Sequence, residues 1–210
     1  MSLAGKSERL RLCLTGKSWP GSPPLLGRLE FALGEGEVVA LCGPSGCGKS
    51  TLLSIAAGLD QEFSGSLHLA AGLRLSMVFQ TPRLLPWRSI AENVALGLGG
   101  LDKDSLRQTE QALEALGLGG QGNLLPGHLS LGMARRVALA RAMAARPDLL
   151  LLDEAFVSLD EACVLQALRV VAAEIAGRGL SVLMVSHDGL DLERLSARRL
   201  QLVGRPAVLA

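Results

Sequence analysis

One segment of the chain combines glycines, a lysine and hydroxyl residues in the order that phosphate binding requires. It fits the pattern G-x-x-x-x-G-K-[ST], and it reads Gly43-Pro44-Ser45-Gly46-Cys47-Gly48-Lys49-Ser50-Thr51. Backbone N–H groups and a helix N-terminus attract a phosphate chain, Lys49 adds a point charge, and the Ser50 hydroxyl is a ligand for Mg²⁺. The apolar run at 38–42 predicts a strand before this loop, and residues 52–57 predict a helix after it. These flanking elements favour a phosphate-binding loop over a glycine-rich turn without function.

Two adjacent carboxylates end a second apolar run. Asp153 and Glu154 follow the run at 149–152, which predicts a buried strand beside the strand of the phosphate loop. A carboxylate at such a strand end can hold Mg²⁺, and a second one can accept a proton from attacking water. We therefore predict that Asp153 is a metal ligand and Glu154 the general base. Such a pair alone is more often a solvated turn, and the complete phosphate loop is what favours a function.

Two further polar residues follow predicted strands. Gln80 comes after residues 75–79 and can orient water or complete the Mg²⁺ shell, while His187 comes after residues 180–185 and can donate to a γ-phosphate. Open parallel sheets place ligands at the carboxyl ends of their strands. We therefore predict that Gln80 and His187 join Lys49 and Glu154 as catalytic residues, with Gln80 also a metal ligand.

The composition favours one compact α/β unit. The chain has 210 residues, of which 49% are hydrophobic and only 3% aromatic, so Leu, Val, Ala and Ile must build the core. Such a core suits helices packed on a parallel sheet. The length fits one domain with an inserted subdomain rather than two independent domains.

The charge and the cysteines narrow the choice of partners. The formal net charge is +1, from 21 basic and 20 acidic residues, which disfavours nucleic acid as a partner. The four cysteines show no C-x-x-C pair and are typical of small apolar residues in a reducing cytoplasm. We find no secretory signal and no run of bilayer length. If the protein works at a membrane, another subunit must anchor it.

The secondary-structure pattern divides the chain into three parts. Before residue 80 we predict strands at 10–14 and 29–33 and a hairpin that joins 65–70 to 73–79 across Ala71-Gly72. From about 80 to 136 helix signals dominate, including a capping box at Ser89 and Glu92 and a cap at Asp102. The last part returns to alternation, with helices at 131–146 and 160–176 and strands at 149–152 and 180–185.

In their order along the chain, these motifs resemble the ATP-binding subunit of ABC (ATP-binding cassette) transporters over nearly the whole length. The shared motifs are the phosphate loop, a Q-loop at Gln80, an LSGGQ-like segment at 129–133, the acidic strand end at 153–154, a D-loop at 158–160 and the switch histidine His187. The resemblance implies an ATPase that uses ATP and Mg²⁺. It also implies an α/β fold, with a P-loop NTPase core of mainly parallel sheet, a small antiparallel β subdomain and an inserted helical subdomain. In this single domain, residues 1–79 and 145–210 form the core, and about 80–144 form the insertion.

The same resemblance implies roles for residues far from the phosphate loop. Trp19 falls where the family has an aromatic residue that stacks on adenine, although local packing of a loop aromatic is the alternative. Two subunits associate head to tail, as a homodimer in the simplest case. Ser130, Gly132 and Met133, at the start of a helix, then cover the γ-phosphate bound by the other subunit. Ser130 also suits the N-cap of that helix.

The chain departs from the family pattern in three places. Leu131 stands where the motif has its first glycine, which puts a bulky side chain where backbone must approach phosphate. Ala155 replaces the usual proline after the catalytic glutamate. The segment 65–80 is shorter than is typical. Because the catalytic residues remain, we still expect hydrolysis, at a rate that Leu131 lowers.

Two stretches resemble the nitrate/sulfonate/taurine-type importers in particular. These are the segment Gln80-Thr81-Pro82-Arg83-Leu84-Leu85-Pro86-Trp87 with the following 90–94, and Met133 in its helix. The resemblance implies a peripheral subunit on the cytoplasmic face of the cell membrane, with transmembrane permease subunits docked near Gln80–Arg88 and a periplasmic or surface solute-binding protein as an indirect partner. Packing of the Leu-Leu-Pro-Trp cluster inside the helical subdomain is the alternative to docking.

The solute follows only from this relatedness. Besides nitrate, sulfonate or taurine, import of a thiamine precursor, molybdate, a metal or an amino acid stays open. The competing class of function is a soluble P-loop ATPase or kinase without a membrane partner. A kinase would not need the segments 129–133 and 158–160 or His187, a repair ATPase would need a long coiled-coil insertion, and a translation ATPase normally has two cassettes.

Overall fold

The larger of two sheets contains the strands that precede the predicted functional residues. The computed structural model describes residues 7–100, 102–186 and 189–210. Among these residues the sheet has the order β5-β6-β7-β3-β8-β9, and only β9 runs antiparallel to its neighbour. The bounds are β3 Val38–Cys42, β5 Leu75–Val78, β6 Leu149–Asp153, β7 Ser181–Val185, β8 Arg198–Val203 and β9 Val208–Leu209. The acidic strand β6 was predicted beside β3, but β7 lies between them. The predicted adjacency is therefore wrong, because apolar runs alone do not fix strand order.

The central strands are apolar at nearly every position because both faces of the sheet are covered. Alternate side chains point to opposite faces, so Ala40 and Leu150 join the core cluster on one face, and Val39 and Leu151 join the cluster on the other. All four side chains are fully buried. This double burial holds the carboxyl ends of the parallel strands in a fixed arrangement.

The smaller sheet is antiparallel and has the order β2-β1-β4. Its strands are β1 Glu8–Gly16, β2 Leu29–Gly34 and β4 Ser64–Leu69. The predicted hairpin between 65–70 and 73–79 is wrong, because β4 pairs with β1, whereas β5 pairs with β6 in the larger sheet. The carbonyl oxygen of Arg74 accepts hydrogen bonds from the N–H groups of Asp148 and Leu149 over 2.7 and 3.1 Å, which ties β5 to β6. A short alternating pattern suits either pairing, so the sequence alone did not separate them.

In the part of the chain that the structure describes, six α-helices cover the larger sheet and form the segment between β5 and β6. They are α1 Lys49–Ala56, α2 Ile90–Ala95, α3 Lys103–Ala115, α4 Leu131–Ala144, α5 Glu161–Arg178 and α6 Gly189–Arg194. The predicted caps are confirmed: Ser89 and Glu92 form a capping box before α2, and Asp102 caps α3. Between 79 and 148 the described residues contain no strand, as the sequence predicted.

Helix α1 and the smaller sheet lie on one side of the larger sheet, and α4 and α5 on the other. Leu52 and Leu53 of α1 belong to the same cluster as Leu12 of β1, while Val137 of α4 and Leu168 of α5 belong to the opposite cluster. The helix that begins at the phosphate loop is therefore held between two sheets. The division of the chain into a core and an inserted subdomain stays a prediction.

The last two strands, β8 and β9, were not predicted from the sequence. Leu200 and Leu202 alternate with arginine and glutamine in β8, which is a weak signal in a segment with exposed charges. None of the helices in the described part of the chain is long and apolar enough to cross a bilayer.

Candidate functional site

The phosphate loop leaves the carboxyl end of β3 and ends at the first turn of α1. Gly48 is the N-cap of α1 with φ +103°, and a Cβ there would lie 2.6 Å from Cδ2 of Leu26. Gly43 has φ +149°, and a Cβ there would lie 2.8 Å from the carbonyl oxygen of Leu202. Only glycine fits both positions without strain. Close packing against the β8 strand and against Leu26 therefore fixes the path of the loop.

Lys49 is buried at the centre of this loop. Its Nζ donates hydrogen bonds to the carbonyl oxygens of Gly43 and Pro44, each over 2.9 Å. Pro44, Ser45 and Gly46 are exposed. The loop thus holds an ammonium group beneath a segment of exposed backbone, which is the arrangement that a bound phosphate chain requires.

The hydroxyl of Ser50 donates to the carboxylate of Asp153, Oγ to Oδ1, over 3.0 Å. Burial raises the pKa of Asp153, and repulsion from Glu154 adds to the rise, while the Ser50 hydrogen bond and the charge of Lys49 oppose it. The two oxygens are hard ligands of the kind that Mg²⁺ prefers. The described residues contain no cluster of three or more His, Cys, Asp or Glu side chains for a metal, so a Mg²⁺ ion here would need further ligands from water or phosphate. The donor set fits Mg²⁺.

Gln80 and Glu154 meet where β5 and β6 end. Nε2 of Gln80 donates to Oε2 of Glu154 over 2.8 Å. The backbone N–H of Glu154 donates to the carbonyl oxygen of Val185, at the end of β7, over 3.1 Å, and Glu154 has φ +48°. A non-glycine residue in this region is strained unless its surroundings hold it there. Three neighbouring strand ends therefore define the position of the Glu154 carboxylate.

Two open clefts border the first turn of α1. The smaller, of about 240 Å³, is lined by six residues of the phosphate loop together with Leu25, Gln80 and Glu154. The larger, of about 730 Å³, has Trp19, Ser50, Gln80 and Asp153 among its lining residues. The structure therefore brings together the predicted site residues of the core that it describes, except that Gly43, Pro44 and the buried Cys47 line neither cleft. His187 lies outside the described residues.

Ser130, Gly132 and Met133 lie at the start of α4, and none of them is among the residues that line these two clefts. The predicted N-cap is confirmed, because Ser130 Oγ accepts a hydrogen bond from the Met133 N–H over 3.2 Å. A Cβ on Gly132 would lie 3.3 Å from Cδ2 of Leu159, so the start of α4 packs on the segment 158–160 of the same chain. Leu131 is 53% exposed.

The segment after Gln80 presents one large aromatic side chain to solvent. Trp87 is 73% exposed, so it does not pack inside the helical segment. Beneath it, the buried Asn93 side chain accepts from the N–H of Leu85 over 2.8 Å and donates to the carbonyl oxygens of Leu85, Arg88 and Ser89. The loop that presents Trp87 is thus held in one shape.

The sequence did not single out Asn93, Arg141 or Lys17. Asn93 and Arg141 bond to backbone atoms, and Lys17 pairs with a side chain that is distant in the sequence. Arg141 of α4 donates to the carbonyl oxygens of Pro82 and Arg83. Lys17 has a fully buried side chain paired with Asp60. Lysine and arginine are among the most exposed residue types, so nothing in the sequence indicated the burial of Lys17 or the partial burial of Arg141.

A phosphate loop between a buried strand and a helix, with a Ser50–Asp153 pair and a Glu154 carboxylate at the strand ends, defines the class of phosphate-loop nucleotide hydrolases. The sequence matches the family described as ABC transporter over residues 26–157. It is 42% identical over 194 residues to the aliphatic sulfonates import ATP-binding protein SsuB 1 of Pseudomonas syringae, covering 92% of this chain and 80% of that protein. It is 44% identical over 168 residues to SsuB 2 of Paracoccus denitrificans, covering 80% and 67% of the two chains.

The fold resembles that of the ATP-binding cassette MJ0796, solved as a dimer in a post-hydrolysis state bound to ADP and Pi. The TM-score is 0.83 at 26% identity, covering 91% of this chain and 93% of that one. These similarities place the protein in the ABC transporter family, as an ATP-binding cassette with ATPase activity. The α/β fold class predicted from the sequence is confirmed.

Proposed function

We propose that this chain is the ATP-hydrolysing subunit of an ABC importer whose solute is a small organic anion of the sulfonate class. The observation on which the ATPase proposal rests is the cleft that brings Lys49 and Ser50 together with Gln80 and Glu154. Phosphate binding and a proton acceptor are thereby combined in one place. The relatives named as aliphatic sulfonate import proteins support the solute class.

Within the site, residues 43–51 bind the phosphates of ATP. Lys49 neutralises phosphate charge. Ser50 and Asp153, with Gln80, would hold Mg²⁺, which would neutralise further phosphate charge. Glu154 accepts the proton of the attacking water, and Gln80 orients either the carboxylate of Glu154 or the water. His187 donates to the γ-phosphate by this proposal, which for this residue is supported by the sequence motif alone. Trp19 stacks on adenine, and its 45% exposure at the rim of the larger cleft supports that role.

The site is completed by a second subunit. Ser130, Gly132 and Met133 lie away from the clefts of their own chain, and the helix that they begin presents backbone N–H groups suited to phosphate. We assign these residues to the nucleotide bound by a partner in a head-to-tail homodimer. The dimeric form in which the similar cassette MJ0796 was solved supports such an assembly.

The transporter needs transmembrane permease subunits, and we place their docking surface at Gln80–Arg88. The exposed indole of Trp87 and the rigid loop beneath it support this placement, because an exposed aromatic on a fixed loop is a typical anchor of protein interfaces. The subunit then lies peripherally on the cytoplasmic face of the cell membrane, and a solute-binding protein acts on the permease from the other side. Nucleic acid has no part in this function. By this proposal, residues 1–210 form one ABC ATPase domain, with its core at 1–79 and 145–210 and its helical insertion at about 80–144.

Deletion of the gene in its host tests the solute class, with growth on an aliphatic sulfonate compared with growth on sulfate as the sole sulfur source. We expect the deletion strain to grow on sulfate but not on the sulfonate. The wild-type gene should restore growth on the sulfonate, whereas a gene encoding Lys49→Ala should not. Unimpaired growth on the sulfonate would overturn the solute class but not the ATPase assignment. A soluble P-loop enzyme is the competing function, and co-purification with a permease of several membrane spans separates the two.

A further inference from the structure

We infer that Lys17 is a positioning residue for the nucleotide base: its ammonium group, held by Asp60, sets the indole ring of Trp19 at the rim of the cleft. The inference rests on the proposed function of Trp19 as the residue that stacks on adenine. Lys17 itself does not touch the nucleotide by this inference. It acts through the ring.

The contacts of Lys17 leave its side chain only one position. The side chain is 0% exposed, and Nζ lies 2.8 Å from Oδ1 of Asp60. Nζ also donates to the carbonyl oxygen of Glu62 over 2.7 Å and lies 3.9 Å from the centroid of the Trp19 ring. The carboxylate of Asp60 neutralises the ammonium, and the carbonyl of Glu62 accepts a hydrogen bond from it. The face of the indole ring is its third neighbour. A buried ammonium held in this way is a fixed support for the ring.

The backbone of the loop that contains Trp19 does not set the direction of the ring. Between Ser18 and Pro24 it contains three prolines and a glycine, and it forms no helix or strand. Within it, the Ser22 N–H donates to the Trp19 carbonyl oxygen over 3.0 Å. That bond fixes a turn of the backbone, but it does not orient the indole. The ammonium above the ring supplies a constraint on the side chain that the backbone does not.

Asp60 connects this support to the helix that begins at the phosphate loop. Its N–H donates to the carbonyl oxygen of Ser54 in α1 over 3.2 Å, so Asp60 is anchored at the carboxyl end of that helix. The backbone of Lys17 also pairs with that of Leu26, N to O over 2.9 Å, and Leu26 packs against Gly48 of the phosphate loop. Lys17 thus ties the ring to both ends of the element that binds phosphate, which sets the distance between base and phosphate sites.

The remaining indole surface is available to a ligand. Trp19 is 45% exposed although one face has the ammonium above it, and the ring borders the 730 Å³ cleft that also contains Ser50 and Asp153. Stacking needs an exposed ring face at a fixed angle, and a ring that is already held loses less freedom when a base stacks on it. Lys17 should therefore affect nucleotide affinity more than the chemical step.

The test compares affinity for MANT-ATP, a fluorescent ATP analogue, with KM and kcat for ATP in the purified full chain. The variants are Lys17→Met, Trp19→Ala and the two combined. Because Lys17→Met leaves Asp60 without its buried partner, Lys17→Met with Asp60→Asn is made as well, and it keeps the test valid if the single variant folds poorly. Arg11→Met removes two surface ion pairs from the preceding strand, β1, and is the matched control.

We expect Lys17→Met, alone or with Asp60→Asn, to raise Kd and KM about tenfold, since a desolvated cation–π contact orders the ring. We expect kcat to stay within about twofold, the Arg11→Met control to behave as wild type, and Lys17→Met to add little in the Trp19→Ala background. An equal effect of Lys17→Met with and without Trp19 would overturn the inference, since it would mark a general structural role. If Trp19→Ala weakened binding while both Lys17 variants bound normally, the inference about Lys17 would be overturned, and the stacking role of Trp19 would stand. Normal binding in Trp19→Ala would overturn the stacking role itself, and the inference with it.

Discussion

The side-chain amide of Gln80 donates a hydrogen bond to the carboxylate of Glu154 over 2.8 Å. The two residues follow adjacent strands, β5 and β6, which run parallel and in register from Leu75 with Leu149 to Val78 with Leu152. The strained backbone of Glu154 is held by β7, because its N–H donates to the carbonyl oxygen of Val185. A glutamine that enters the site on its own loop therefore controls the orientation of the proposed general base. Because the same loop continues to Trp87, a permease docked there, as we propose, would be coupled to the base through Gln80.

The first prediction concerns Glu154→Gln. This change keeps the size of the side chain and the acceptor for Gln80, but removes the basic carboxylate. Since a general base contributes at least about 100-fold to such a reaction, we expect kcat for ATP to fall by about that factor or more. ATP affinity should be retained, and ATP-bound dimer should accumulate. Steady-state ATPase assays, MANT-ATP titration and size-exclusion chromatography with ATP measure the three quantities.

Glu30→Gln, at an exposed position of strand β2, is the control for loss of one carboxylate and should hydrolyse ATP normally. Turnover in Glu154→Gln close to that of wild type would remove Glu154 from the role of base. Loss of ATP binding would instead show that its carboxylate is needed to build the site.

The second prediction concerns stability, because the site holds a carboxylate that burial disfavours. The folded protein raises the pKa of Asp153 above its ordinary value of 3.8, so the native state binds the proton more tightly than the unfolded chain does. The ionised form therefore costs stability at pH 7, and this cost disappears as the pH falls through the raised pKa toward 3.8. Asp153→Asn, which keeps an acceptor for Ser50, should raise the Tm of the nucleotide-free protein by a few degrees at pH 7 and by less near pH 4.

The same variant should lose function as it gains stability. Without the carboxylate, addition of Mg²⁺ and ATP should raise Tm less than it does in wild type, and kcat should fall. Asp148→Asn is the matched comparison, because Arg74 lowers the pKa of Asp148, so the sign reverses and Tm at pH 7 should not rise. A lower Tm for Asp153→Asn at pH 7 would show that the Ser50–Asp153 pair stabilises the fold despite its burial.

Much of the site could be predicted from the sequence because its residues follow apolar runs that a parallel sheet must align. Asp153, Glu154 and Gln80 all stand directly after such runs, and the sheet brings them together whatever the loops do. The strand order could not be predicted, since the runs at 38–42, 149–152 and 182–185 are equally apolar and fit any central position. The wrong hairpin at Ala71-Gly72 has the same origin, because the pairing of β5 with β6 depends on Asp148, far away in sequence.

The third prediction concerns the docking surface. Trp87→Ala should weaken binding to the permease about tenfold or more, because a large exposed aromatic on a rigid loop is a typical hot spot. ATPase activity of the free chain should be unchanged, since Trp87 lies outside both clefts. Co-purification with the permease in detergent measures the effect. Leu106→Ala removes another exposed apolar side chain from the helical segment, on α3, and should leave complex formation intact. Equal yields of complex for Trp87→Ala and wild type would exclude Trp87 from the interface.

The fourth prediction concerns Leu131, the first residue of α4 and one of its most exposed apolar side chains. Ser130 and Gly132 on either side are the residues we assign to the partner's γ-phosphate, so the Leu131 side chain must be accommodated wherever that phosphate approaches. A bulky side chain there holds backbone N–H groups away from the anion. Leu131→Gly should therefore raise the ATPase rate of the assembled transporter several-fold and lower the ATP concentration at which the dimer forms.

Helix stability limits how this change is interpreted. Glycine at an exposed helical position costs up to about 1 kcal/mol relative to alanine, so Leu131→Ala is the control that shortens the side chain without loosening the helix. If the bulk of the Leu131 side chain alone lowers the ATPase rate, both variants should hydrolyse ATP faster than wild type. The rate should rise more in Leu131→Gly, because alanine still keeps a Cβ. A rate in the assembled complex that is the same for all three residues would show that Leu131 points away from the bound nucleotide. The N-terminus of α4 would then approach phosphate by a different face from the one that Ser130 and Gly132 define.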